Sequence, residues 1–415
     1  MSSQGESRLL RLPGFVNAHS HAFHRALRGL SELRSGDFWT WRQLMYSVAD
    51  RLDPDSYREL ATYVYAEMVL AGWTAVGEFH YLHHGPGGTP YSDRNEMTWS
   101  ILEAARVAGI RLTVLDACYL QAGVKGEELS GAQLRFSDGD GDSWSRRVTE
   151  AAESGRLAAG EGRARLGAAI HSVRAVPPSA MGSVAAWAAH NDAPLHVHVS
   201  EQRRENDEAL AELSMTPTEV LVAAGAVTSA ATAVHATHLT ASDVTRWGFA
   251  RASVCACPTT ERDLGDGVGP FPDLVDSGAR LCLGSDSHAV VDPFEEARSL
   301  ETHCRLVAER RGVFGVDALL HAASAGGARS LGWDPAAIEG RDYVELRLDG
   351  SLPLAGGDTS EDESRALAVF AAGPGDVERV VVGGETLVEG GEHVRLGPRR
   401  AVAAGLRRAI LRVIE

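Results

Sequence analysis

The sequence predicts an α/β fold, a (β/α)8 TIM-like barrel with a small appended β domain. Eight short apolar runs alternate with amphipathic helical stretches between residues 12 and 337, and this alternation is typical of parallel strands joined by crossover helices. Several of the runs end in histidine or aspartate. Because no run is followed by a glycine-rich phosphate-binding turn, a closed barrel is favoured over an open doubly wound sheet.

Local signals along the chain predict the individual elements. Asp53 and Pro54 suit the cap and first turn of a helix that ends near Gly72. The aromatic stretch 38–46 is predicted to be a loop, and 123–162 a longer loop of the kind that often covers a ligand. The predicted strands are 15–19, 73–80, 111–119, 166–172, 195–200, 233–238, 253–259 and 281–287. The other predicted helices are 93–108, 178–190, 201–213, 217–224, 241–247 and 293–310.

The pattern changes after the barrel. Residues 338–395, together with 1–11, are predicted to form the small β domain, and residues 396–415 a C-terminal helix. The strand-like runs are 343–348, 366–371, 380–382 and 385–388, and the Val382-Gly-Gly-Glu385 sequence is a strong hairpin signal.

Composition excludes several classes of protein. A formal net charge of −16 argues against nucleic-acid and anionic-membrane partners. No apolar run is long enough for a membrane span, and the first residues are too polar for a signal peptide. The five cysteines are odd in number and lie in apolar surroundings, which predicts free thiols in a reducing compartment. We therefore expect a cytoplasmic protein.

The first strand carries the clearest chemical signal, His19-Ser20-His21. Alternate residues of a strand share one face, so the two imidazoles should converge on one point at the strand end. Neutral imidazole nitrogens suit Zn²⁺, Fe²⁺ or a similar borderline cation.

Later strand ends supply the remaining groups. His198 ends the fifth predicted strand, with Glu201 three residues beyond, and Asp286 ends the eighth. The sixth strand offers both His235 and His238, and the sequence leaves open which one enters the site. Because active sites of such barrels lie at the carboxyl ends of the strands, these side chains should meet on one face.

Roles follow from the chemistry of each group. His19, His21, His198 and Asp286 are predicted to bind one metal ion per subunit, which leaves a position for water. The catalytic residues are then Asp286, as acceptor of the water proton, Glu201, as proton shuttle to a leaving nitrogen, and His235, as a polarising group. The expected reaction is metal-assisted attack of water on a C=N or C=O carbon.

These residues resemble the motifs of the amidohydrolase superfamily. The resemblance rests on Phe15-Val-Asn-Ala-His-Ser-His21, His198-Val-Ser-Glu201, the His235 segment and Gly284-Ser-Asp286. It implies a metal-dependent hydrolase barrel, and the glutamate after the fifth-strand histidine is similar to that of its mononuclear deaminase branch.

Two narrower stretches, 38–46 and 78–84, resemble the formimidoylglutamate deiminases of histidine degradation. The resemblance implies hydrolysis of N-formimino-L-glutamate to N-formyl-L-glutamate and ammonia, with zinc, in a homodimer. It also implies further N-terminal strands that pair with the C-terminal β region. Since only about ten residues precede the first barrel strand here, we expect a reduced β domain with an exposed edge.

The same resemblance implies a set of substrate-binding residues, Arg42, Tyr81, Arg174 and His24. A substrate with two carboxylates suits guanidinium groups, which bind carboxylates bidentately. Many members of the family carry glutamine at the position of His24, and an imidazole can still donate one hydrogen bond there. Gln133 and Arg135, in the long loop, are further candidates.

Two other functions remain open on the sequence. One is another deaminase or chlorohydrolase of the same branch, acting on a heterocycle such as guanine or a triazine. The other is an inactive metal-binding remnant with a shortened start. A neutral ring has no carboxylates for two arginines to bind. The two arginines therefore distinguish a deaminase of heterocycles from a formimidoylglutamate deiminase.

Overall fold

The computed structural model describes residues 9–30, 38–158, 162–348 and 360–415. Its main sheet contains eight parallel strands in sequential order, as the alternation predicts. They are β2 (Phe15–Ser20), β3 (Trp73–His80), β4 (Arg111–Cys118), β5 (Ala164–Ile170), β6 (Leu195–Val199), β7 (Ala231–His235), β8 (Ser253–Ala256) and β9 (Arg280–Leu283).

The barrel closes where β2 meets the segment after β9. His21 donates its backbone N–H to the carbonyl of Asp286 at 3.1 Å, and Asp286 donates to the carbonyl of His19 at 3.0 Å. These bonds bring the first and last strands together, and with them the predicted metal-binding segments.

The helices cover the outside of the barrel and the end that carries the site. Their bounds are α1 (Phe38–Arg51), α2 (Pro54–Ala71), α3 (Glu96–Ala108), α4 (Gly141–Glu153), α5 (Pro178–His190), α6 (Arg203–Leu213), α7 (Pro217–Ala223), α8 (Ala241–Phe249), α9 (Pro258–Leu264), α10 (Phe271–Asp276), α11 (Pro293–Ala308), α12 (Val316–His321), α13 (Gly327–Ser330), α14 (Pro335–Ile338), α15 (Glu361–Ala371) and α16 (Arg399–Ile414). No helix among the described residues is long and apolar enough to cross a membrane.

A second, antiparallel sheet forms the small domain. Its strands, in spatial order, are β1 (Leu9–Pro13), β10 (Tyr343–Arg347), β11 (Val377–Val382), β12 (Glu385–Glu389) and β13 (Glu392–His393). All five residues of β1 pair with β10, so the edge that we expected to be exposed is covered. Because β1 continues to Pro13, the small sheet gives way to the barrel at Gly14 rather than at residue 12.

Three segments differ from the sequence-based expectation. The aromatic stretch 38–46 is not a loop but the first part of α1. The run 366–371 is not a strand but the end of α15, whose start is fixed by a capping box between Ser360 and Glu363. The long loop 123–162 contains a 3₁₀ segment at Gly131–Phe136 and then α4, capped by Asp140.

The C-terminal helix packs against α2. Val402, Ala409 and Val413 of α16 are buried, at the spacing of one helix face. At Gly405 a Cβ atom would lie 2.1 Å from the Tyr63 ring, so the close approach of the two helices requires glycine there.

Candidate active site at the carboxyl ends of the strands

Four predicted ligand atoms converge at the end of the barrel. Asp286 Oδ1 lies 3.3 Å from His19 Nε2 and 3.4 Å from His21 Nε2. His198 Nε2 lies 3.1 Å from His19 Nε2 and 3.4 Å from His21 Nε2. In a tetrahedral site with bonds of about 2.1 Å, neighbouring ligand atoms are about 3.4 Å apart. The spacing therefore suits one ion held by three nitrogens and one oxygen.

The hydrogen bonds of the rings support the same conclusion. His21 Nδ1 lies 2.9 Å from the carbonyl of Phe79, and His198 Nδ1 lies 2.8 Å from the carbonyl of His171. A carbonyl only accepts, so each Nδ1 carries the hydrogen and each Nε2 presents a lone pair. Two lone pairs that face each other at 3.4 Å cannot form a hydrogen bond, whereas a cation between them satisfies both.

Burial keeps these imidazoles neutral. It is the main cause that lowers the pKa of His19, His21 and His198 well below the ordinary value. Neighbouring histidines lower the pKa further, because each would repel a second positive ring. A neutral imidazole is the form that binds a metal ion.

His235 lies beside this group but is engaged differently. His235 forms one candidate metal-binding group with His19, His198 and Asp286, whose ligand atoms all lie within 4.8 Å of one another, and His21 forms another with His24 and Asp286. The Nε2 of His235 is 3.8 Å from both Glu201 Oε1 and Asp286 Oδ2, and its Nδ1 is 3.5 Å from Glu261 Oε1. The distances of His21 Nε2 to His198 Nε2 and to Asp286 Oδ1, both 3.4 Å, are shorter than the 3.8 Å distances of His235 Nε2 to Glu201 and Asp286.

Carboxylates on both sides favour the charged form of His235. Burial lowers its pKa, but Glu201, Glu261 and Asp286 oppose that effect and raise the pKa to about 10. The protonated ring can donate a hydrogen bond from Nε2 into the cavity.

The backbone at the strand ends adopts unusual conformations. His235 and Asp286 have φ values of +67° and +42°, and Ser200, next to Glu201, has +52°. L-residues rarely adopt this left-handed region, and such strain concentrates at active sites. The turns direct these side chains into the cavity instead of along the barrel wall.

A cavity opens in front of these groups. Of the predicted substrate-binding residues, His24 and Tyr81 bind each other, with Nε2 and the phenol oxygen 2.8 Å apart. Arg42, on α1, donates to the Tyr119 hydroxyl at 3.1 Å. Arg174 lies 3.6 Å from Glu201. All four line the cavity.

The structure thus brings most of the predicted site residues together: His19, His21, His24, Arg42, Tyr81, Arg174, His198, Glu201, His235 and Asp286. His238 does not join them. It is only partly buried, whereas His235 is 1% exposed and lines the cavity. Gln133 donates to the Tyr119 hydroxyl at 2.9 Å. Arg135 instead points away from the cavity and binds the carbonyls of Ala49, Leu52 and His84, so it holds α1 in place over the barrel.

Sequence reasoning missed several residues of the site. Glu261 carried no local signal, since it is one acidic residue in the first turn of α9. Tyr46, Tyr119 and His171 also line the cavity. The signal for His171 was available, because it follows β5 at the same barrel end as His198 follows β6.

The comparisons with known proteins agree with this geometry. The model of the amidohydrolase family matches residues 10–387, and the chain therefore belongs to the amidohydrolase family. Within it, the chain is a homologue of the formimidoylglutamate deiminase of Pseudomonas aeruginosa, with 38% identity over 405 residues that cover 95% of this chain and 87% of that protein.

Solved structures show the same architecture. A crystal structure of an amidohydrolase from Brucella melitensis is 34% identical, with a TM-score of 0.87, covering 98% of this chain and 90% of the other. An adenosine deaminase from Xanthomonas campestris, solved with bound zinc, is 23% identical with a TM-score of 0.81, covering 98% and 86% of the two chains. At that identity the second likeness concerns the fold alone.

Proposed function

We propose that this protein hydrolyses N-formimino-L-glutamate to N-formyl-L-glutamate and ammonia. The proposal is based on two arginines, Arg42 and Arg174, which line the same cavity as the predicted metal ligands His21, His198 and Asp286. Guanidinium groups suit a substrate with two carboxylates. The likeness to formimidoylglutamate deiminase supports the same substrate.

One divalent ion per subunit is part of the proposal. His19, His21, His198 and Asp286 would hold it, and three nitrogens with one carboxylate suit zinc, with Fe²⁺ as the alternative. When bound, such an ion supplies Lewis acidity and lowers the pKa of water in the site to about 7.

The chain's own residues then move the protons. The second oxygen of Asp286 is turned toward His235 and can accept a proton from the attacking water. As water adds to the formimino carbon, the proton taken up by Asp286 and a proton carried by Glu201 serve to convert the terminal =NH to a leaving ammonia. The hydroxyl formed by addition gives up its remaining proton as the formyl C=O forms and the carbon–nitrogen bond breaks, so both protons of the water end on the released ammonia. His235 can donate a hydrogen bond from Nε2 that stabilises negative charge developing at the reacting centre.

The remaining contacts place the substrate. Arg42 donates a hydrogen bond to the Tyr119 hydroxyl, and Arg174 lies 3.6 Å from Glu201 on the cavity wall. His24 and Tyr81 form a hydrogen-bonded pair beside the ligand His21, and either can turn its donor to a carboxylate. Burial lowers the pKa of His24 to about 3, so this imidazole is neutral.

Ammonia release from purified protein and N-formimino-L-glutamate tests the proposal. We expect release by the zinc-loaded protein, and a strong loss in both Arg42→Ala and Arg174→Ala with the metal retained. Absence of release with metal bound would refute it. Deamination of a neutral heterocycle such as guanine, unaffected by the arginine substitutions, would favour the alternative deaminase. We further propose a cytoplasmic homodimer, which gel filtration of the purified protein tests for its oligomeric part.

A further inference from the structure

A buried hydrogen-bonded cluster lies next to the segments that carry the predicted metal ligands His19, His21 and Asp286. The proposed reaction does not use this cluster. Ser20 is the last residue of β2 and lies between His19 and His21 in the sequence, so its side chain points to the face opposite that of His19. Its hydroxyl lies 2.7 Å from Glu78 Oε2 and 2.9 Å from His288 Nε2. These three side chains, which we term the rear cluster, are all fully buried.

Glu78 forms one side of the rear cluster. Its Oε1 accepts the backbone N–H of Ala22 at 2.7 Å and the Tyr57 hydroxyl at 3.3 Å. Its carboxylate therefore binds Ser20 and Ala22, the residues on either side of His21. The salt bridges found among the described residues include none to Glu78. A buried carboxylate without a cationic partner is costly, and its hydrogen bonds have to offset that cost.

His288 forms the other side and belongs to the loop that carries Asp286. Because Ser20 donates its one hydrogen to the carboxylate, it accepts from Nε2–H of His288. The loop is strained, with φ of +58° at His288 and +42° at Asp286. Strained backbone persists only where surrounding contacts hold it.

The rear cluster thus connects the two segments that supply three of the four ligands. His19 and His21 are the sequence neighbours of Ser20, and Asp286 lies two residues before His288. Metal ligands must be placed within a few tenths of an ångström of their ideal distances. We propose that Glu78 and His288, acting through Ser20, are positioning residues that hold these two segments at the spacing a metal ion requires.

The rate of zinc loss from the holoenzyme to an excess of chelator tests the proposal. Ser20→Ala keeps the strand and creates no large cavity, but leaves Glu78 and His288 without their shared partner. We expect zinc release about 10 to 100 times faster, the usual effect of removing a partner of the ligands. The cobalt-substituted protein should show an altered visible absorption spectrum, because the coordination geometry relaxes.

Ser330→Ala is the matched control. Ser330 is also buried, and its hydroxyl donates to the carbonyl of Gly327 at 2.8 Å. We expect zinc release and the cobalt spectrum to match the wild type. Glu78→Gln should release zinc faster as Ser20→Ala does, because an amide cannot accept all three hydrogen bonds. If Glu78→Gln does not fold, Ser20→Ala decides.

Wild-type zinc release and an unchanged cobalt spectrum in Ser20→Ala would overturn the inference, even if its thermal stability falls. The inference rests on the metal site of the proposed function and not on the substrate. Faster zinc release in Ser20→Ala, combined with no ammonia release by the wild type, would leave the positioning role standing while the proposed function fails.

Discussion

Glu261 Oε1 lies 3.5 Å from Nδ1 of His235, whereas Glu201 and Asp286 lie near the other ring nitrogen, Nε2. Glu261 is buried in the first turn of α9 and accepts the backbone N–H of Cys257 at 2.9 Å. The carboxylate therefore stands in a fixed position beside the imidazole. Its negative charge favours the protonated form of the ring.

Glu261→Gln should lower kcat about 10 to 100 times with little change in KM, because His235 loses part of its charge but no substrate contact. The neighbouring carboxylates raise the pKa of His235 to about 10 against the effect of burial. Removing one of them lowers that pKa. The protonated ring is then lost at lower pH, and the alkaline limb of the kcat profile should shift downward.

Glu296→Gln is the control for this substitution. Glu296 is also fully buried and binds Thr259 of α9 at 2.5 Å, but it does not contact His235. Its pH profile should be that of the wild type. An alkaline limb that stays in place in Glu261→Gln would contradict the role of Glu261.

Removal of the metal should abolish ammonia release and destabilise the protein. His21 and His198 present lone pairs to each other at 3.4 Å, so the empty site retains an unfavourable contact that an ion relieves. A ligand present at about 100 times its dissociation constant stabilises the folded state by about 2.7 kcal/mol. We expect dialysis against a chelator to lower Tm and activity together, and added Zn²⁺ to restore both.

Mg²⁺ provides the comparison in this experiment. It prefers six oxygen ligands in octahedral geometry and should not replace an ion held by three imidazoles. Restoration of activity by Mg²⁺, or full activity in protein shown to be free of metal, would contradict the predicted ligand set.

The site residues at the strand ends could be predicted because the sequence signals for them are local. His19 and His21 are two residues apart on one strand, and Asp286 directly follows an apolar run, so alternation and barrel topology suffice to bring them together. Glu78 and Glu261 are single acidic residues whose partners lie far along the chain. No periodic pattern marks them, and only the folded structure shows which side chains they bind.

Helix α1 shows a different kind of failure. Its aromatic residues suggested a loop, yet its apolar positions recur at helical spacing, at 41, 44, 45, 48 and 49. This spacing indicates a helix, whereas the aromatic composition of the same stretch favoured a loop. The covered edge of β10 could not have been predicted so directly, because pairing of β1 with a strand more than 300 residues away depends on the tertiary fold.

Tyr119→Phe should raise KM for N-formimino-L-glutamate about fivefold with kcat nearly unchanged. The Tyr119 hydroxyl accepts a hydrogen bond from Arg42 and another from Gln133. A hydrogen bond contributes about 1 kcal/mol, which corresponds to about a fivefold change in binding. Tyr343→Phe, in the remote small sheet, keeps its ring over Arg11 and should change neither constant. Equal KM values in the two variants would argue against Arg42 as a substrate-binding residue.

Two aspartate caps should give opposite pH dependence of stability. Asp292 caps α11 and Asp53 caps α2. Burial raises the pKa of Asp292 to about 6, against the hydrogen bonds that it accepts. For Asp53, burial acts in the same direction but the hydrogen bonds from Ser56 outweigh it and lower the pKa.

The signs follow from proton binding. The folded state binds a proton at Asp292 more tightly than the unfolded state, so this carboxyl costs stability increasingly as pH rises from about 4 to 6. Asp292→Asn keeps an N-cap acceptor and should raise the free energy of unfolding by about 2 kcal/mol at pH 8, with no gain at pH 4.

Asp53 contributes stability above its unfolded pKa, and this contribution is lost as pH falls through its lower folded pKa. Asp53→Asn should therefore destabilise at pH 8 and be neutral at low pH. Urea unfolding of both variants at the two pH values measures the effects, and a loss of stability in Asp292→Asn at pH 8 would show that its charged form stabilises the cap.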